Sequence, residues 1–223
     1  LFRRLVMRDL AKKFLSETEK NSVMSAVSQL EQKTSGELVP MIVSTSGNYG
    51  EYSIIGAFAF SLPLSVCAAY LINWYQYGTG DTLMLFLMMF LPLFIMFFFT
   101  LNYIPCLKRL FIPKHVMEEE VRETAAAAFF THGLHKTKDA SGVLLYISVF
   151  ERRVWIMADS GINSKLPEVT WDSVVADLIK GLKQKRNGEV IVTAINRIGE
   201  LLISNFPANG DSTNELPDLI VGK

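Results

Sequence analysis

Few side chains in this 223-residue chain have the type and setting that chemistry asks for. Asp159 closes an apolar, β-rich run and enters an Asp-Ser-Gly turn, and a carboxylate there stands at the mouth of an α/β sheet, where ligands collect. The plainer use of that side chain is an Asx turn, bonding the backbone just ahead. Glu37 heads another apolar run; it could reach the same end of the sheet, or cap its strand in water. Arg152 and Arg153 sit between two β-rich runs, where they could grip a phosphate or form the charged tip of a hairpin. Asn214, Glu215 and Asp218 gather oxygen-bearing side chains in a polar stretch that equally suits a solvated docking segment. His132 and His135 have HxxH spacing. No glutamate completes an HExxH pattern and no third ligand is close, so they read as histidines favoured by a helix C-terminus. No serine lies in a GxSxG elbow, and no P-loop or GxGxxG offers a phosphate cradle.

Composition narrows the field further. The chain has 22 basic and 22 acidic residues and half its positions are apolar. That apolar share excludes intrinsic disorder. A balanced charge argues against a dedicated nucleic-acid binder, whose basic face shows in the total. Two cysteines, Cys67 and Cys106, make neither a disulfide framework nor a metal spacing.

The apolar residues are not spread evenly. The 56 residues between Glu51 and Lys108 carry one charge, Asp81, while the other 167 positions carry 43 of the 44. Two runs, Ile54 to Ile72 and Leu83 to Ile104, are nearly free of polar side chains. At about 1.5 Å per residue each can cross a hydrocarbon core of about 30 Å. The spacing predicts a transmembrane helical hairpin over 53–106, with the lipid bilayer as its partner. The connector Asn73–Thr82 is polar and rich in Trp and Tyr, as at a membrane interface. Pro63 and Pro92 fall mid-span, which lipid helices tolerate. No ionisable group lies within either span and no GxxxG pair marks a helix–helix face. Lys108, Arg109, Lys114 and His115 follow the second span, and Arg3, Arg4, Arg8, Lys12 and Lys13 crowd the N-terminal arm. Positive residues stay in the cytoplasm, which predicts both termini and the soluble part there. Leu1–Leu15 has basic residues throughout and does not read as a signal peptide.

The remaining elements must position the candidate residues. Ser16-Glu-Thr-Glu19 reads as a capping box, followed by Val23, Ala26, Val27 and Leu30 at helical spacing. Glu37–Ser44 reads as an interior strand, with Pro40 marking a bulge or an edge on one side. Pro113–Phe130 reads as a helix stopped by Gly133. Gly142–Phe150 and Val154–Asp159 read as a β-hairpin, and two amphipathic helices built on Trp171–Leu182 and Val190–Leu202 follow. The expected fold is α/β, a mixed β-sheet of three or more strands covered by helices on its faces and interrupted by the hairpin. The expected organisation is a basic arm at 1–15, one discontinuous domain of 16–52 and 107–206, spans near 54–72 and 83–104, and a polar tail at 207–223.

These segments resemble, in order, the TPM domain family. Thr34-Ser-Gly-Glu-Leu-Val39 resembles its opening. Phe130…Gly133-Leu134…Thr137 leads, as in the family, to Gly142-Val-Leu-Leu-Tyr-Ile-Ser-Val-Phe-Glu-Arg-Arg-Val-Trp-Ile-Met-Ala-Asp-Ser-Gly-Ile162. Trp171, Ile198-Gly199 and Phe206-Pro207…Asn214-Glu-Leu-Pro-Asp218 complete the likeness. The family is described as phosphatase-like and some members bind calcium. The resemblance therefore makes Asp159, with Glu37, the first candidate for Ca²⁺ or Mg²⁺, whose ligands are clustered oxygens. It also implies a bacterial inner membrane. Many members are exported with one C-terminal span; the internal hairpin departs from that pattern, so function does not carry over wholesale. Two functions follow. The favoured one is a non-catalytic adaptor or accessory factor for a membrane protein complex, binding a cation at most for stability. The alternative is a weak metal-dependent phosphatase acting on phosphate esters.

Overall fold

The computed structural model describes residues 10–75, 81–137, 140–166, 169–184, 186–208 and 216–222. Arg3, Arg4 and Arg8 of the arm, residues 76–80 of the connector, and Asn214 and Glu215 lie outside them. Asn48–Val116 forms one compact unit, and the described residues on either side form the other.

The α/β unit is built on a four-stranded sheet of order β3-β2-β1-β4. Its strands are β1 (Glu37–Val43), β2 (Gly142–Ser148), β3 (Arg153–Ala158) and β4 (Ile220–Val221). β1 runs parallel to β2 in register Glu37↔Gly142 through Val43↔Ser148, and parallel to β4. β2 and β3 are antiparallel, as a hairpin requires. The sheet is mixed with helices on both faces, as the pattern of elements predicts.

Ser16 opens helix α2 (Glu17–Glu31) through the capping box, its side chain accepting from the Glu19 N–H while Glu19 accepts from Ser16. Helix α1 (Leu10–Phe14), from the basic arm, buries Ala11. On one face of the sheet Leu38, Ile42, Val143, Leu145 and Ile147 pack beneath α2, α8 (Val169–Lys183) and α9 (Asn187–Asn205). On the other, Val39, Val43, Leu144 and Tyr146 pack beneath α6 (Lys114–Thr131) through Val121, Ala125 and Phe129. Period-2 alternation thus fills two cores from one sheet. Gly142 is dictated by contact, since a Cβ there would collide with the Leu134 carbonyl oxygen.

Pro40 reveals its logic in the hydrogen bonds. The Gly222 N–H donates to the Ile42 carbonyl at 2.8 Å, so even-numbered residues of β1 turn their polar groups towards β4. β4 is two residues long and pairs only Met41 and Ile42. Pro40 therefore sits on the β4-facing side beyond the reach of the ladder, where no donor is needed. No bulge interrupts its pairing with Leu145. Two features depart from the reading of the sequence. The polar tail supplies β4, and Ser160–Lys165 forms a short helix, α7.

The other unit contains α3 (Gly50–Tyr75), α4 (Thr82–Tyr103) and α5 (Pro105–Arg109). α3 and α4 are each long and apolar enough to cross a membrane. Asp81, the lone charge between Glu51 and Lys108, is the N-cap of α4 and accepts from the Leu83 and Met84 N–H groups at 3.0 and 3.3 Å. The absence of GxxxG does not leave α3 without a packing face. Ser53, Ala57, Ser61, Ser65 and Ala69 recur every fourth residue and are buried, a small-residue stripe of the kind that lets helices approach closely. Phe58 sits 4.8 Å from Phe94, and Phe60 lies 5.3 Å from Phe97. The outward faces carry Leu62, Leu87, Met88 and Leu91, all exposed.

Candidate functional site

The sequence-predicted site residues fall at two ends of the sheet and along one edge. At the end where β1 and β2 begin, the Asp159 N–H donates to the Gly142 carbonyl at 2.9 Å. Its carboxylate accepts from the Ser160 N–H at 2.6 Å as N-cap of α7. The local turn role is therefore filled. Glu37 begins β1, two strands away, with β2 between them, which places the two backbones about 10 Å apart. Glu37 is grouped instead with Glu31 and Asp218. Burial, then the charges of Asp218 and Glu37, push the Glu31 carboxyl up to about 8. Glu31 accepts from the Leu38 N–H, standing in as a ladder partner where β4 is missing. Its Oε2 has no hydrogen-bond partner among the described residues. Among those residues, no three Asp, Glu, His or Cys side chains converge closely enough to hold a metal ion. His135 packs its ring 5.2 Å from Phe130 instead.

The opposite end of the sheet holds a polar network that sequence reasoning missed. Glu151, in the β2–β3 turn, is 3% exposed. Its Oε1 accepts from Thr45 Oγ1 at 3.0 Å, the Ser46 N–H at 2.9 Å and the Gly47 N–H at 3.3 Å. Its Oε2 accepts from Ser148 Oγ. Ser46 Oγ also lies 3.0 Å from the Tyr146 hydroxyl. Burial, reinforced by the Glu151 charge, pushes the Tyr146 phenol up to about 12. These groups are satisfied by one another and act as a clamp on the segment leaving β1. The Ser-Thr-Ser run at 44–46 was the available signal; a glutamate in a turn gave none.

Arg152 and Arg153 separate at the same turn. Arg153 reaches Glu118 on α6 at 3.4 Å. Arg152 is exposed with φ +54°, a left-handed conformation that costs a non-glycine residue about 1 kcal/mol. Both line a cavity of about 300 Å³ together with Lys183.

β3 is an edge strand. Because Asp159 turns towards β2, alternation turns Val154, Ile156 and Ala158 outward. Asn163 Nδ2 already donates to the Ala158 carbonyl at 2.9 Å, as that assignment requires. Two clefts, of about 200 and 190 Å³, follow one another along β3 between α6 and α8, and Trp171 lines both. Its buried indole N–H has no acceptor among the described residues.

A mixed four-stranded sheet under helices on both faces defines an α/β domain. The family model for the TPM domain matches residues 110–201. Among curated proteins no match is found. Among solved structures the chain is similar to the BA42 protein of the psychrophilic bacterium Bizionia argentinensis, determined by NMR. The two share 20% identity over 94% of this chain and 96% of that one, with a TM-score of 0.55. At that identity the likeness shows the fold.

Proposed function

We propose that this protein is a membrane-anchored docking factor. Its TPM domain holds an extended segment of a membrane protein complex, without catalysis of its own. The observation that carries the reading is the open edge of β3 between α6 and α8. Outward-facing backbone groups at Val154 and Ile156 fit an added strand, and the flanking clefts fit its alternate side chains. The apolar faces of α3 and α4 support an anchor in lipid, since such a surface is unfavourable in water. The basic residues after the second helix support a cytoplasmic domain at a bacterial inner membrane. Ca²⁺ and Mg²⁺ have no step in this reading, because the described carboxylates do not converge.

The test uses the full chain in native membranes, with a photo-crosslinking residue at Trp155. One defined membrane protein is expected in the crosslinked product. Ile156→Pro removes an outward N–H and should abolish that product while leaving the melting temperature within a few degrees. Membranes that yield only the free chain overturn the docking reading. Phosphate-ester hydrolysis by the purified protein with Ca²⁺ or Mg²⁺, lost in Asp159→Ala, would replace it with the enzyme.

A further inference from the structure

The cavity beside the β2–β3 turn is separate from the β3 clefts in what it offers. Phe14, Ile179 and Leu182 give it an apolar interior, and Arg152, Arg153 and Lys183 stand in its lining as three cations. Glu118 pairs with Arg153, leaving a local excess of two positive charges. No carboxylate pairs with Arg152 or Lys183 among the described residues. Glu151, adjacent in sequence, is buried and committed to Thr45, Ser46, Gly47 and Ser148. Arg152 also holds a backbone conformation that glycine would adopt without strain. Backbone strain of that kind points to a role for the side chain that carries it.

We infer that this cavity binds a single-chain amphiphile with a phosphate head. The chain lies against Phe14, Ile179 and Leu182. The phosphate meets Arg152 and Lys183, with Arg153 shared between it and Glu118. Guanidinium groups bind phosphate oxygens in a bidentate fork, and two uncompensated cations match a dianionic monoester head. A cavity of about 300 Å³ is at the small end for ligand sites, which favours one chain over two. The inference does not depend on the docking reading, because it uses no residue of the β3 clefts except Arg153 and Ile179 at their shared border.

The experiment titrates octyl phosphate by calorimetry into the full chain held in phosphatidylcholine nanodiscs, with empty discs as the blank. One-to-one binding is expected, at least tenfold tighter than inorganic phosphate, and octyl glucoside should not compete. Arg152→Gly should weaken octyl phosphate about tenfold while its melting temperature stays equal or rises. Leu182→Trp, which fills the cavity, should bring octyl phosphate down to the affinity of inorganic phosphate. Equal affinity for octyl and inorganic phosphate in the wild type overturns the inference, as does unchanged binding by a folded Arg152→Gly. Discs containing phosphatidate separate the sources. Displacement of octyl phosphate assigns the site to a bilayer lipid, and retention assigns it to a soluble alkyl phosphate; both keep the site.

Discussion

Two buried glutamates sit at opposite ends of β1 with different partners. Glu151 gathers four donors under nearly complete burial. Glu31 is similarly enclosed, accepts from one backbone N–H, faces Asp218 and Glu37, and holds its proton to about pH 8. The two sites differ in their count of donors, and each hydrogen bond to an ionised carboxylate offsets part of its lost hydration.

The comparison can be broken at its strongest point first. Glu151→Ala leaves two backbone N–H groups and the Ser148 hydroxyl without their acceptor, while Thr45 keeps the Gly47 carbonyl, and should cost about 3–5 kcal/mol in denaturant unfolding. A loss under 1 kcal/mol would show that water replaces the carboxylate and that the clamp is not structural. Glu31→Gln should act in the opposite direction. Between pH 4.5 and 8 the folded state keeps a proton that the unfolded chain has released, so wild-type stability falls as pH rises through that window. The variant should match wild type below pH 4.5 and exceed it above pH 8 by about 2–5 kcal/mol, the upper figure being the full shift and the lower one allowing for solvent screening of a partly open group. Parallel stability–pH curves for the two proteins would refute a protonated Glu31. Tyr146→Phe removes one hydroxyl from the satisfied end and should cost about 1 kcal/mol by thermal unfolding. Asp159→Ala is the smallest, a helix cap worth about 0.5–1 kcal/mol. Its loss should be the same with and without millimolar Ca²⁺ or Mg²⁺; a loss appearing only with the ion would give Asp159 to a cation.

The sequence made the regular parts plain. Ser16 and Glu19 announce α2, the charge-free block announces α3 and α4, and the two β-rich runs on either side of Arg152 announce the β2–β3 pair. What it hid depends on partners far along the chain. Ile220 and Val221 lie in a polar tail and become β4 only because β1 offers them an edge. Ser160–Lys165 has no apolar period and is a helix because Asp159 caps it. Glu31 looks like the solvated last turn of an amphipathic helix. Its burial comes from the first residues of β1 and from Asp218, nearly two hundred positions later. Asp159 and Glu37 do reach the same end of the sheet, both level with Gly142, but the intervening strand keeps them apart. The Glu151 clamp was invisible because its four donors come from two separate segments of the chain.

The place of the hairpin in the chain has a further consequence, in time rather than space. Ser35 and Ser141, bonded beside the first β1–β2 pair, are 106 positions apart, so β1 leaves the ribosome long before its partner exists. At about 5–20 residues per second that interval lasts about 5–20 s. During it a seven-residue segment apolar on both faces has no sheet to join. Pro40 is in the middle of that segment, and a proline without an N–H is a poor template for a stray strand. The residue that marks the short reach of β4 in the finished domain thus also guards β1 while the hairpin is being made.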